Sequence, residues 1–228
     1  MIKKQLLLIL FTFVCHVSAQ RSDFKTISFE KADKIAMSLK GKDLTNLPLL
    51  AHELSSKLDT DVERFRAIYF WVCHNIKNDY DLMLKSKRKR RRFRNDAIQL
   101  EKWNKTFKKE VFSKLLKDKK TLCSGYAYLI KVLASHAGLE SEIINGFGNI
   151  SAAFKSIQTP NHAWNAIKLN GKWYLCDATW ASGFINETYL FTFNYNDAYF
   201  LMDPEEFAKS HRPFDTNWFL FEDANKAK

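Results

Sequence analysis

Apolar positions recur at helical spacing through the first two thirds of the chain and alternate at strand spacing in the last third. Ser28 to Lys40 predicts a short amphipathic helix ended by Gly41. Asn46 to Leu58 predicts a second, with Pro48 tolerated in its first turn, where the amide it lacks has no partner to lose. Both are expected to pack outside the core around a site, as a helical extension over residues 20–59. Thr60-Asp61-Val62-Glu63 is a capping box that opens a strong helix with Phe65, Ile68, Tyr69, Val72 and Ile76 as its buried stripe. On that helix Trp71 reads as a core aromatic or as the border of a cleft, and His74, with no partner at ligand spacing, as surface or core. Ala97 to Lys117 predicts one or two helices around Leu100, Trp103, Phe107, Val111, Phe112, Leu115 and Leu116. Tyr126, Ile130, Leu133, Ala134 and Ala137 form a further helical stripe, with Gly138 just past its end.

The pattern then changes to strands. Glu142 to Phe147 predicts one, followed by a loop from Gly148 to Pro160 in which Phe154 and Ile157 read as anchors or as groove residues. Asn161 to Leu169 and Lys172 to Asp177 alternate on either side of Asn170-Gly171, a strong short hairpin signal. That turn sets Leu169 opposite Lys172, Trp164 opposite Asp177 and His162 opposite Thr179. Tyr189 to Asn194 and Tyr199 to Met202 predict further antiparallel strands, and Asp203-Pro204 opens a short helix over Glu205 to Ser210. Helices followed by hairpin-linked strands predict a single α+β domain over residues 20–228.

Within this framework three residue types stand in the order that thiol acyl transfer requires. Cys123 opens a helix, where unpaired N–H groups and the helix dipole favour a thiolate and can receive an oxyanion. Ser124-Gly125 keeps the backbone beside the thiol uncluttered. His162 and Asp177 are diagonal neighbours on one face of the hairpin, so the carboxylate can fix the tautomer of the imidazole. Cys176 points to the opposite face. His211 reads as a surface or packing histidine, because His162 already has a partner on its own face.

C-x-G-Y-A at Cys123 to Ala127, N-H-A-W-N at Asn161 to Asn165 and D-A-T-W at Asp177 to Trp180 resemble the transglutaminase-like superfamily. More narrowly they resemble its kyphoscoliosis-peptidase-type branch and related exported bacterial proteins, and the flanking stretches Arg66 to Ile76 and Tyr199 to Trp218 fit as well. The chain departs from many relatives at Thr121-Leu122, where they have Gly-Val, and at Asn78-Asp79-Tyr80, where they have Tyr-Asp. The resemblance implies a papain-like fold, a helix carrying the cysteine packed on an antiparallel sheet carrying the histidine and aspartate. It implies a triad of Cys123 as nucleophile, His162 as base and Asp177 as its orienter.

Composition adds the setting. Met1 to Ala19 has the layout of a signal peptide: Lys3 and Lys4, an apolar run from Leu6 to Val14, and Val17-Ser18-Ala19 before a cleavage point. Its removal takes two charges from the formal +11 and predicts an exported protein, periplasmic or secreted, that is not an integral membrane protein after cleavage. Cys73, Cys123 and Cys176 remain, an odd count that argues for at least one free thiol, with a Cys73–Cys176 bridge left open. Lys85 to Arg94 carries Lys85, Lys87, Arg88, Lys89, Arg90, Arg91, Arg92 and Arg94 with no acid among them. Such a run is normally a solvated loop; its functional alternative is contact with an anionic surface or polymer. Nothing resembles a nucleic-acid-binding module, and no H-E-x-x-H, C-x-x-C, phosphate loop or dinucleotide fingerprint occurs, so no specific nucleic acid, metal or cofactor is expected. The expected function is an exported, cysteine-dependent amide acyl-transfer enzyme acting on a peptide or protein amide, with hydrolysis favoured over cross-linking. The alternatives are a cross-linking transglutaminase and a non-catalytic binding or scaffold protein that keeps the fold.

Overall fold

A computed structural model describes residues 20–148 and 159–221. The signal-like segment, and Phe154 and Ile157 of the loop, lie outside the described residues. The chain forms helices α1 (Glu30–Ser38), α2 (Leu47–Ser55) and α3 (Asp61–Asn75), then a two-residue strand β1 (Lys77–Asn78). Helices α4 (Tyr80–Arg92) and α5 (Ala97–Asp118) follow, then β2 (Lys120–Thr121) and α6 (Cys123–His136). Strands β3 (Ser141–Gly148), β4 (His162–Leu169) and β5 (Lys172–Cys176) come next, then α7 (Ala178–Ser182) and the pair β6 (Gly183–Ile185) and β7 (Phe191–Phe193). Helix α8 (Pro204–Ala208) and strand β8 (His211–Pro213) complete the elements that position the site.

The main sheet has the order β5-β4-β3-β8, antiparallel throughout, and α6 packs across β4 and β3. This is the expected α+β arrangement, a cysteine-bearing helix on an antiparallel sheet. The hairpin register is as predicted through the strand: Leu169 lies opposite Lys172 and Asn165 opposite Cys176. Its turn needs positive φ at both central residues, and Asn170 and Gly171 supply φ of 51° and 80°. Beyond Cys176 the ribbon ends, so the predicted pairing of His162 with Thr179 does not form. Asp177 instead caps α7, its Oδ1 accepting the N–H groups of Thr179 and Trp180.

Helix α3 is the centre of the helical layer. Its capping box forms as expected, the Thr60 hydroxyl receiving the Glu63 N–H while the Glu63 carboxylate receives the Thr60 N–H. Its buried surface is wider than one stripe: Phe65, Ala67, Ile68, Tyr69, Trp71, Val72, Cys73 and Ile76 are all inaccessible. The cause is enclosure by α1, α6 and α7. Trp71 is therefore a core aromatic, its indole N–H donating 2.8 Å to the Leu39 carbonyl at the end of α1. Arg66, also buried, forks onto Asp33 of α1 and reaches Asp197.

Three further expectations need correction. The N-terminal helices do not stay outside the core: Ala32, Ala36, Leu50, Ala51 and Leu54 are buried in the same cluster as α3 and α6, and α2 packs directly on α6. The run Lys85 to Arg94 is not a loop but, as far as Arg92, the second half of α4. Asp79 caps that helix, Lys89, Arg90, Arg91 and Arg92 fall in the last turn where the helix dipole favours them, and Leu82 buries against Phe107 and Val111 of α5. Of the strands predicted after Trp180, β7 pairs only with β6, and Met202 makes a single bridge to Leu175; the sheet edge is β8 instead. No helix among the described residues is long and apolar enough to cross a membrane.

Candidate active site

Cys123 is the first residue of α6 and is partly exposed. Its cap residue Leu122 offers no side-chain acceptor. The N–H groups of Gly125 and Tyr126 turn back to the Leu122 carbonyl, while those of Cys123 and Ser124 find no partner among the described residues. The helix therefore presents free donors and the positive end of its dipole at the thiol. Gly125 does more than keep the backbone clear: a Cβ there would fall 1.9 Å from Thr121 Oγ1. The Thr121 side chain fills the space that a glycine at that position leaves empty, and Asp79, the other point of departure, caps α4 and pairs with Lys114.

His162 is the first residue of β4, and the two asparagines of its motif set its position. Asn161 accepts the Gly148 N–H through Oδ1 and gives its own N–H to Gly146, which fixes the strand entry on β3. Asn165, buried, donates through Nδ2 to the Ala127 carbonyl on α6 at 3.0 Å and to Glu142 on β3. The cysteine-bearing helix is thereby tied to the histidine-bearing strand by a side chain that sits one turn in from Cys123.

Asp177 is fully buried, and its backbone is held on both sides: Tyr69 of α3 donates to its carbonyl, and its N–H donates to Tyr199. With Oδ1 committed to α7, Oδ2 lies 2.6 Å from His162 Nε2. A carboxylate only accepts, so Nε2 carries the proton and Nδ1 is the nitrogen left for the thiol. The His162 ring and the Ala163 N–H lie near enough to the Cys123 thiol to act on it, and both favour its charged form. His162 and Asp177 are joined by a hydrogen bond, and Cys123 is coupled to His162 through its charge.

The electrostatics follow from this coupling. Burial opposes charge on His162, but the charge and hydrogen bond of Asp177, with the thiol, push its pKa up to about 10. Burial also raises the thiol of Cys123, yet the His162 ring, its charge and the Ala163 N–H bring it below the ordinary thiol value. Burial penalises the Asp177 carboxylate, and its two histidine partners outweigh that and hold it well below the usual carboxylate range. The arrangement favours a thiolate beside an imidazolium. Cys73 and Cys176 are the opposite case: both are free, fully buried thiols raised above the ordinary value, and Cys176 faces away from the site as predicted.

Two residues were not read as part of this site. His211, on β8, is completely buried and places Nε2 3.0 Å from the same Asp177 Oδ2. Trp180 lies over both histidines, its ring 5.2 Å from that of His162 and 4.3 Å from that of His211. No spacing rule could find His211, because it reaches the site through a three-residue edge strand at the far side of the sheet. Trp180 was visible only as the last residue of its motif. His162, Asp177 and His211 bring three ligand-type atoms within 4.8 Å of one another. A tetrahedral ion with bonds of about 2.0–2.1 Å sets its ligands roughly 3.3 Å apart. The 2.6 Å contact is too short for that and is the length of a charge-assisted hydrogen bond.

The chain has clear relatives. A family model described as "Transglutaminase-like superfamily" matches residues 49–178. The chain is 34% identical over 210 residues to the kyphoscoliosis peptidase of Homo sapiens, covering 88% of this chain and 28% of that protein. It is 34% identical over 197 residues to the kyphoscoliosis peptidase of Mus musculus, covering 84% of this chain and 26% of that protein. It therefore spans about a quarter of the length of these curated relatives, and both are eukaryotic, whereas the motifs had also suggested bacterial ones. A solved structure titled "Crystal structure of a TGase" aligns at a TM-score of 0.40 and 17% identity, over 73% of this chain and 37% of that one. By its family match and by these relatives, the chain belongs to the transglutaminase-like superfamily.

Proposed function

We infer that this chain is an exported, cysteine-dependent enzyme that transfers acyl groups from peptide or protein amides, most often to water. The observation that carries this is the Cys123 thiol at a helix N-terminus with free amides, acted on by a His162 that is itself hydrogen bonded to the buried Asp177. In the proposed cycle His162 Nδ1 holds the thiol proton and the thiolate attacks the amide carbon. The N–H groups at the start of α6 receive the oxyanion. As the C–N bond breaks, His162 returns the proton to the leaving amine, leaving a thioester on Cys123. Water, deprotonated by His162, then attacks the thioester, and the carboxylic acid leaves with the thiol restored.

Two features support water over an amine as acceptor. The relatives with 34% identity bear the name of a peptidase. In addition, α4 carries one base beside the site: Arg90 Nη1 donates 2.7 Å to the carbonyl of Pro160, two residues before His162, and its charge interacts with Cys123. A protonated lysine approaching that guanidinium is repelled, whereas an acidic stretch of substrate is drawn in. The anionic partner of the basic run is on this view an acidic part of the substrate itself. Export rests on the signal-like first 19 residues of the sequence.

The deciding experiment offers a glutamine-containing peptide amide with and without excess primary amine and weighs the acyl product by mass spectrometry. Mostly free acid in both cases is the expected result. A dominant amine adduct would make the chain a cross-linking transglutaminase, and no acyl product from a varied set of amides would favour a binding or scaffold role.

A further inference from the structure

Asp177 is unusual in the number of groups it serves. Its Oδ1 accepts two backbone N–H groups of α7, at 2.7 and 3.1 Å, and its Oδ2 lies within hydrogen-bond reach of two imidazoles, His162 at 2.6 Å and His211 at 3.0 Å. Every acceptor position of the carboxylate is filled, and nothing in the proposed acyl-transfer cycle uses the second histidine.

His211 is built into place from every side. Its ring stacks on Phe207 of α8 at 3.9 Å and lies under Trp180, with Trp164 edge-on at 5.1 Å. Its Nδ1 is 2.9 Å from the Ser210 hydroxyl. The titratable groups facing it are Asp177, His162 on β4 and, more distantly, Tyr199; Arg212, next in the chain, turns its guanidinium over Phe147. Because a carboxylate cannot donate, the contact to Oδ2 requires the proton on Nε2, which leaves Nδ1 to accept from the Ser210 hydroxyl at 2.9 Å, whose alternative acceptor is the Phe207 carbonyl at 3.5 Å.

We propose that His211 is a positioning residue of this site, a second Nε2–H donor that shares Asp177 Oδ2 with His162 and thereby fixes where the carboxylate sits and divides its charge. The inference rests on the acyl-transfer reading of Cys123 and His162, but concerns how their orienting carboxylate is held. Burial keeps His211 neutral despite its carboxylate partner, since its pKa is lowered by desolvation and opposed by the charge of His162. Of the two imidazoles on one oxygen, His162 then takes the charge and His211 supplies a neutral donor. A neutral donor draws off part of the carboxylate's basicity without adding a second positive charge next to the imidazolium. A purely structural role would need only the flat ring between Phe207 and Trp180.

The test is nuclear magnetic resonance of the histidine rings in the full chain, which reads protonation and tautomer without any substrate. In the wild type near neutral pH, His211 should be neutral with its proton on Nε2, while His162 carries both ring protons. His211→Phe keeps a ring and removes the donor; His211→Gln keeps a donor and removes the ring. The titration midpoint of His162 should rise by about half a unit in H211F, as Asp177 directs its charge to one partner, and stay at the wild-type value in H211Q. A folded H211F with an unmoved midpoint overturns the proposal, as do equal shifts in both variants. If H211F does not fold, the wild-type spectrum still decides, because a His211 proton on Nδ1 with Nε2 bare would also overturn it. Absent turnover with these ring signatures intact would count against the proposed function and leave the role of His211 standing.

Discussion

At the scale of single residues the chemistry depends on which atom holds which proton. Asp177→Asn puts an amide where the carboxylate accepts from His162, so the imidazole loses both its partner charge and its enforced tautomer. Turnover should then fall by about three to four orders of magnitude with the fold kept, measured as kcat on whatever amide proves active. The same pair has a stability signature. His162 is raised in the folded state, so its contribution is full below the unfolded value near 6.5 and is lost as pH rises from there through about 10. Asp177 is depressed, so its contribution is present above the unfolded value near 4 and is lost as pH falls below that. The melting temperature should therefore be highest between about pH 4 and 6.5 and decline toward pH 10, and His162→Gln should flatten the alkaline limb. An alkaline limb unchanged in that variant would show that the pair is not what titrates. Cys176→Ala should leave activity nearly intact, since the residue faces the helical layer, although the lost packing costs stability.

At the scale of elements, local signals were legible and long-range ones were not. The capping box of α3, the Cys123 position at the start of α6 and the Asn170-Gly171 turn each depend on residues within a few positions of one another, and each formed as expected. His162 and Asp177 could be paired because a hairpin turn converts spacing into register. The end of β5 could not be placed, because Asp177 leaves the ribbon to cap α7, and a cap and a strand residue look alike in sequence. The helical state of the basic run was hidden by its charge. It depends on Leu82 meeting Phe107 and Val111, and on Lys85 meeting Glu110, contacts made only once α5 folds back. Likewise β8 is three residues long and joins the sheet far from its sequence neighbours. Helix α1 is fastened through an ion pair between its part-exposed Asp33 and the buried Arg66, which also pairs with Asp197. Asp33→Ala should cost about 1.5–3 kcal/mol in chemical denaturation, as the charged hydrogen bonds to Asp33 are lost while the Arg66 guanidinium keeps Asp197. A loss below about 1 kcal/mol would mean that α1 is held by its apolar face only.

For the whole molecule, a formal charge of +11 is unevenly spread, with a run of bases on α4 of which Arg90 reaches the Pro160 carbonyl and acts on Cys123. Binding of an acidic polypeptide should weaken steeply as salt rises, and replacing Arg88, Arg91 and Arg92 with Gln should reduce both the affinity and its salt slope. No binding at low salt would leave the outer face of α4 as a solvated surface. The helical layer, the sheet and the α4–α5 pair meet around one largely buried thiol, and the central claim is that this thiol is activated by the groups assembled on it. The most direct measurement is the rate of alkylation of Cys123 by a small neutral electrophile near pH 6, followed by peptide mapping, in the wild type and in His162→Ala. The predicted result is rapid labelling at Cys123 alone, slowed at least tenfold in the variant while Cys73 and Cys176 stay unreactive in both. Labelling of Cys123 at the same rate with and without the imidazole would contradict it.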